Sequence, residues 1–454
     1  MNTEILDAEQ NVAIQITEEI RVLANSIELK LESISSSTID CSIYRVHEKF
    51  RKQNESAYTP EMISIGPFHR GKKSLAPMED QKLRYTKALL SRTMLTGQNK
   101  VKECVAYLKE IEEVARKCYS EHINLSSDEF VEMMVIDGLF MIELLRKKAD
   151  KTVKFEPGDP FFSKTLGLSS LVRDLLLLEN QLPMIVLECL LNVPGLKGEL
   201  KGVPINILVL RFFNPWIPLG KEVIESSFSS HKGKHILDLL SQAFCVLLPK
   251  VGNKKIDSGK PIRSVIELKN AGVKFVKSST SGSFLDIRFK DGIMEIPPID
   301  IEDQSDTLLR NFIAFEQCCD GQITYMTSYA FFIDSLINSG QDVGVLCKQG
   351  IITNLLGDDE AVAVLFNKLC CEVTLANFYY SELCDQVNTY YNTRWHVWRA
   401  TLKRDYFNSP WAILSFMAAV VLLVLTFLAT LYAILSYDYQ TKHGTEATPP
   451  SYKS

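Results

Sequence analysis

The chain has 454 residues, 46% hydrophobic and 23% charged, with 50 Lys and Arg against 55 Asp and Glu for a net charge of -5. That composition is ordinary for a globular protein and excludes collagen-like, wholly disordered and disulfide-scaffold chains. The length accommodates about two or three domains, and the charge balance gives no global sign of nucleic-acid binding.

Residues 1–40 are acidic, and Ile16, Ile20, Leu23, Ile27 and Ile34 recur at three-to-four spacing, which predicts an amphipathic helix packed on the main body. A basic stretch follows from Cys41 to Arg92. Within it Met62-Ile63-Ser64-Ile65 reads as a short strand entering the loop Gly66-Pro67-Phe68. Helices are expected over Met78–Thr96, Val101–Tyr119 and Phe130–Leu145, the last capped by Ser127-Asp128-Glu129. Further helices are expected over Leu168–Leu191, with Pro183 inside, and His235–Leu248, separated by an irregular stretch from Val193 to Pro218. The polar loop Lys250–Pro261 marks an internal boundary near 250–262. Beyond it the period changes: Val273–Val276, Phe284–Phe289 and Ile293–Ile296 read as strands. Helices resume at Thr307, interrupted near Ser339-Gly340 and Gly357-Asp358. The fold expected is α+β, predominantly α-helical with a few short strands, as one large domain over 41–409.

The decisive feature lies at 410–437, which carries no charge; Trp411–Ser436 alone supplies 26 apolar or uncharged residues. At 1.5 Å per residue such a helix covers about 39 Å, against a hydrocarbon core of about 30 Å. A single transmembrane anchor is expected, with a short polar tail over 438–454. Arg394, Arg399, Lys403 and Arg404 on the N-terminal flank outnumber Lys442 and Lys453 on the other, which places the body in the cytosol. Residues 1–30 show no apolar signal-peptide core, in keeping with a tail anchor. The span length favours the thick plasma membrane. Arg394, Trp395, Trp398, Arg399, Lys403, Arg404 and Trp411 are assigned to the lipid interface. Eleven cysteines, including two adjacent pairs, read as reduced, buried small hydrophobes. The sequons at Asn54 and Asn124 would then never meet the glycosylation machinery.

Several segments resemble the plant "domain of unknown function 247" family. They include Ile43–Arg92, Met133–Leu145 (MMVIDGLFMIELL), Asp174–Leu190 (DLLLLENQLPMIVLECL), Glu267–Phe275, Leu285–Pro298, Arg310–Cys318 and the stretch from Asn388 to Trp411. One departure is Val46-His47, where the family pattern usually reads Val-Pro. The resemblance implies a plant membrane protein with a C-terminal anchor and no assigned reaction. Some grass members resemble male-side self-incompatibility determinants, which implies recognition or signalling at a membrane. The expected partners are the bilayer and membrane-proximal proteins.

No motif with a defined chemistry emerges, so no cofactor or metal is expected. Gly66–Lys73 approaches a phosphate-binding loop, but Lys73 stands where Mg²⁺ needs a hydroxyl and Pro77 follows at once; a basic surface turn is the simpler reading. His231 and His235 are four apart, yet Gly233 lies between them and no third ligand is evident; solvated histidines before a helix are expected. The polar run Glu179-Asn180-Gln181 inside an apolar segment is the most informative. With Pro183 it reads as a structural polar network at a helix kink, Arg173 or Arg146 being candidate partners of Glu179. The alternative is a membrane-tethered hydrolase or transferase in which Glu179 works with Glu143 or Glu188 as a general acid and base.

Overall fold

The computed structural model describes residues 20–28, 41–92, 99–149, 159, 161–162, 165–196, 202–215, 221–228, 233–246, 248–249, 260–279, 283–319, 323–393 and 410–443. Over these residues the chain is α+β and mainly helical.

The N-terminal half contains a single turn α1 (Glu48–Arg51), then α2 (Ala76–Arg92), α3 (Asn99–Lys117), α4 (Ser127–Ala149), α5 (Thr165–Leu175), α6 (Met184–Asn192) and α7 (Ile205–Phe213). α4 is its hub, with α2, α3, α6 and α7 all packed on it. Phe130, Leu139, Phe140, Ile142, Leu144 and Leu145 of α4 are buried on every side, as expected of a core helix rather than a surface one. A capping box starts it: Ser126 Oγ accepts the Glu129 N–H at 3.3 Å, and the Glu129 carboxylate accepts the Ser126 N–H at 2.9 Å. Gly138 lets α6 come close, since a β-carbon there would lie 2.4 Å from Leu190 Cδ1.

The C-terminal half contains α8 (Lys221–Phe228), α9 (Ile236–Cys245), α10 (Val265–Asn270), β1 (Lys274–Lys277), β2 (Arg288–Lys290), β3 (Ile293–Ile296) and β4 (Ile299–Ile301). After these come α11 (Ser305–Glu316), α12 (Tyr325–Leu336), α13 (Gly340–Lys348), β5 (Ile352–Asn354), α14 (Asp359–Leu369) and α15 (Ser381–Asn392). β1 runs parallel to β3 and β2 antiparallel to it, while β4 and β5 form a separate parallel pair. α11 is the second hub, contacted by α9, α12, α14 and the turn Ser56–Tyr58. One apolar cluster runs from Ile43 to Val387 through both halves.

Several expectations are corrected. Leu168–Leu191 is not one kinked helix; α5 ends at Leu175 and α6 begins at Met184. Met62–Ile65 forms no strand ladder, because side chains bond its backbone instead. α7 occupies part of the stretch read as irregular: Pro204 sits at its N-cap, and Ile205, Ile207, Leu208, Val209 and Leu210 are buried. Residues 20–28 are helical, but Ile20, Leu23 and Ile27 are exposed rather than packed on the body. The short β4–β5 pair is additional to the strands expected. Residues 250–259 of the boundary loop lie outside the described residues.

The last described element is α16 (Pro410–His443). Its Leu414–Tyr439 stretch is 26 residues long, with a mean hydropathy of 2.6 and none of its most apolar window buried. It is the one helix among the described residues long and apolar enough to cross a membrane.

Candidate functional site

The connection between α5 and α6 organises the polar interior. A helix cannot run through it, because Pro183 disfavours helical geometry at Leu182 and has no N–H to give. Asn180 and Gln181 then satisfy the carbonyls that α5 leaves open. Asn180 Nδ2 donates to Asp174 O at 2.9 Å, and Gln181 Nε2 donates to Leu175 O at 2.7 Å and Leu177 O at 2.9 Å. Gln181 Oε1 accepts the Leu237 N–H of α9 at 3.2 Å, and Leu178 N–H donates to Asn311 Oδ1 of α11 at 2.9 Å. Pro183 is the N-cap residue of α6.

The same loop anchors residues 61–66. The Asp174 carboxylate accepts the backbone N–H groups of Glu61, Met62 and Ile63 at 2.6–3.1 Å. Asn180 pairs with Ile65 N–H at 2.7 Å and Ile63 O at 3.1 Å. Asp137 of α4 accepts the Gly66 N–H at 2.8 Å and the Lys82 ammonium at 2.6 Å. Side chains thus do for this segment what a neighbouring strand would do.

Glu179 points the other way, to the floor of an open cleft of about 690 Å³. Its Oε1 accepts the Val46 N–H at 2.7 Å and is ion-paired to Arg51. Its Oε2 lies 3.3 Å from His69 Nε2 and 3.6 Å from Arg45 Nη1. Neither contact is a hydrogen bond, so Glu179 Oε2 and both His69 nitrogens are buried without a hydrogen-bond partner. Burial pushes the Glu179 carboxyl up, but His69, the Val46 N–H and Arg51 together outweigh it and hold the group below the usual glutamate range. Burial, reinforced by Lys72, lowers His69 despite Glu179. Neutral His69 and ionised Glu179 are the forms favoured at neutral pH.

The other expected sites separate from this one. Arg173 pairs with Asp174 at 2.9 Å, and Arg146 pairs with Glu143 at 2.9 Å, so neither serves Glu179. Glu143 is fully buried and also paired to Arg92. The two carboxylates hold different arginines and share no hydrogen bond among the described residues. The Gly66–Lys73 turn is not wholly a surface feature, because His69 is 2% exposed. His235 is fully buried rather than solvated: its Nδ1 accepts the Asp238 N–H at 3.3 Å as the cap of α9, and Nε2 bonds Ser42 O at 2.9 Å. His231 lies outside the described residues, as do Arg394, Trp395, Trp398, Arg399, Lys403 and Arg404; Trp411 is 77% exposed. Among the described residues no group of three His, Cys, Asp or Glu side chains is arranged to hold a metal.

Sequence reasoning passed over Arg51, His69, Asp137, Asp174 and Asn311. An acid inside an apolar helix, such as Asp137 or Glu143 within MMVIDGLFMIELL, is the available signal that a buried partner exists.

The molecule is thus a helical α+β body with a buried-carboxylate cleft, plus one helix of membrane-spanning length. The chain belongs to the domain of unknown function 247 family: that family's model, described as "Plant protein of unknown function", matches residues 43–425. It is 31% identical to the UPF0481 protein At3g47200 of Arabidopsis thaliana, over 93% of this chain and 92% of the relative. It is 24% identical to the UPF0481 protein At3g02645 of the same plant, over 92% of this chain and 95% of the relative. No solved structure matches.

Proposed function

We propose that this protein is a single-pass, tail-anchored plant membrane protein whose large body works in the cytosol, at the plasma membrane, as a recognition or scaffold module. The observation that carries this reading is the fully exposed apolar stretch Leu414–Tyr439, which water would not tolerate but a bilayer would. Its length suits a thick membrane. Two further facts support the orientation. The basic residues Arg394, Arg399, Lys403 and Arg404 flank the side facing the body. All eleven cysteines are free thiols, including Cys318-Cys319 and Cys370-Cys371, as suits a reducing compartment.

Alkaline carbonate extraction of plant membranes tests the anchor. The full chain is expected in the pellet, and a variant with Leu422→Arg, Leu423→Arg and Val424→Arg in the supernatant. Full-length chain in the supernatant would overturn the anchor. The enzyme reading draws on Glu179, but a carboxyl held below its usual range by His69, the Val46 N–H and Arg51 is an anion rather than a proton donor at neutral pH. Proximity labelling with the full chain tests the recognition role: a reproducible set of cytosolic neighbours is expected, and labelling no different from a bare anchor would contradict it.

A further inference from the structure

The cleft above Glu179 contains more polar capacity than its own residues use. At its floor Glu179 Oε2 and both His69 nitrogens are buried without a hydrogen bond, the nearest donor to Oε2 being His69 Nε2 at 3.3 Å. Because ionised Glu179 can only accept, the neutral imidazole turns its N–H towards it, which leaves His69 Nδ1 as a bare acceptor. At the rim the situation is reversed. Lys72 is exposed and has no ion-pair partner among the described residues. Arg45 stands over the Phe68 ring, its Cζ 4.4 Å from the centroid. Its Nη1 is 3.6 Å from Glu179 Oε2, and its Nε donates to Glu121 at 2.9 Å in a pair that is solvent-exposed, with side chains 41% and 51% accessible. Such a pair is weakly held and readily exchanged for another anion. The cleft therefore offers cationic donors at the mouth and unfilled acceptors below.

We propose that this cleft binds a small oxyanion, a carboxylate or phosphate, that carries its own neighbouring hydroxyl or ammonium donor. The oxyanion displaces Glu121 from Arg45 and lies between Arg45 and Lys72. The donor faces the floor, where the buried Glu179 Oε2 and His69 Nδ1 turn towards the cleft to accept it. Planar guanidinium and flexible ammonium together suit either type of oxyanion. A volume of about 690 Å³ admits a small metabolite. The proposal stands apart from the membrane reading, since it concerns the body alone.

Calorimetric titration of the full chain in detergent micelles tests it, with glycerol 3-phosphate and glycerate as probes. Ethyl phosphate and propionate are the matched anions without a donor. Binding of either hydroxylated probe in the millimolar range or tighter is expected, with the donorless analogue about tenfold weaker. Preference for glycerol 3-phosphate or for glycerate identifies the oxyanion as phosphate or carboxylate. Lys72→Gln should weaken binding by about tenfold, whereas Glu121→Gln should strengthen it by freeing Arg45. Both side chains are exposed, and unchanged thermal unfolding verifies that the variants fold. Absence of binding by both probes, equal binding of the donorless analogues, or indifference to both substitutions would overturn the proposal.

Discussion

The Asp174 carboxylate accepts the backbone N–H of Ile63 at 2.9 Å, joining two segments separated by 111 positions in the chain. With the N–H groups of Glu61 and Met62 on the same carboxylate, this contact explains how an apolar, β-prone segment is held in place without a strand partner. Asp174→Ala leaves these donors facing a void. A loss of about 3 kcal/mol or more is expected in chemical unfolding of the full chain, with Asp174→Asn losing less because one acceptor oxygen remains. Equal stability of Asp174→Ala and the parent would show that water replaces the carboxylate at no cost.

Glu179 ties residues 45–51 to the body through Val46 and Arg51. Glu179→Gln keeps an acceptor for Val46 but strands the Arg51 charge, and a cost of about 3 kcal/mol is expected. Hydrogen exchange should then accelerate over 43–51 more than over α4. Uniform acceleration across both would indicate global rather than local loosening.

Gly66 has a φ of +75°, and a β-carbon there would meet Gln181 O at 2.6 Å. The obstacle is backbone in the α5–α6 connection, which cannot swing aside as a side chain could. Gly66→Ala should lower the melting temperature by several degrees, the equivalent of about 2 kcal/mol. Gly71, also at positive φ (+81°), has nothing within 4 Å of its β-carbon position, so Gly71→Ala should cost about half as much, from φ alone. Equal losses at the two sites would remove the steric argument.

Two buried groups respond to acid in opposite directions, His235 and Glu316. Burial lowers His235 to about 4, and its Nδ1 must stay unprotonated to cap α9. In the unfolded chain the imidazole takes up a proton near pH 6.5. Between those values the unfolded state binds more protons at this site, so the His235 contribution to stability falls as pH drops from about 6.5 to about 4. His69, also lowered by burial, acts with the same sign, and the Glu179 contribution is lost only as pH falls below its ordinary range. Glu316 opposes them: burial raises it to about 7, so the folded state takes up its proton first and gains stability as pH drops towards the ordinary glutamate range. As pH drops from 7 to 5, the melting temperature of the parent should therefore fall relative to that of His235→Gln. An identical slope in that variant would assign the effect elsewhere.

The helices were legible because their signals are local. The stripe of α3 and the apolar run of α4 are written within about twenty residues, as is the uncharged stretch of α16. The α5–α6 break was partly legible, since Pro183 and the polar triplet mark a disturbance, but a kink and a full interruption leave the same trace. What decides between them is the set of distant partners: Ile63, Ile65 and Leu237 for the loop side chains, and Asn311 for its backbone. The cleft was hidden for the same reason. Arg45, Arg51 and His69 lie more than a hundred positions before Glu179, and no spacing rule links them.

Membrane topology tests the central reading most directly. Asn124 is exposed and Asn54 is half-buried, its amide bonded to Asp306 at 2.7 Å, so Asn124 is the more open of the two native sequons. The measurement is protease protection of the full chain in sealed plant microsomes, with tags at Met1 and Ser454 and a sequon engineered into the 438–454 tail. Digestion of the N-terminal tag, protection and glycosylation of the tail, and an unmodified Asn124 are expected. A protected body carrying a glycan at Asn124 would contradict the cytosolic assignment and make the Glu179 cleft a site on the far side of the membrane.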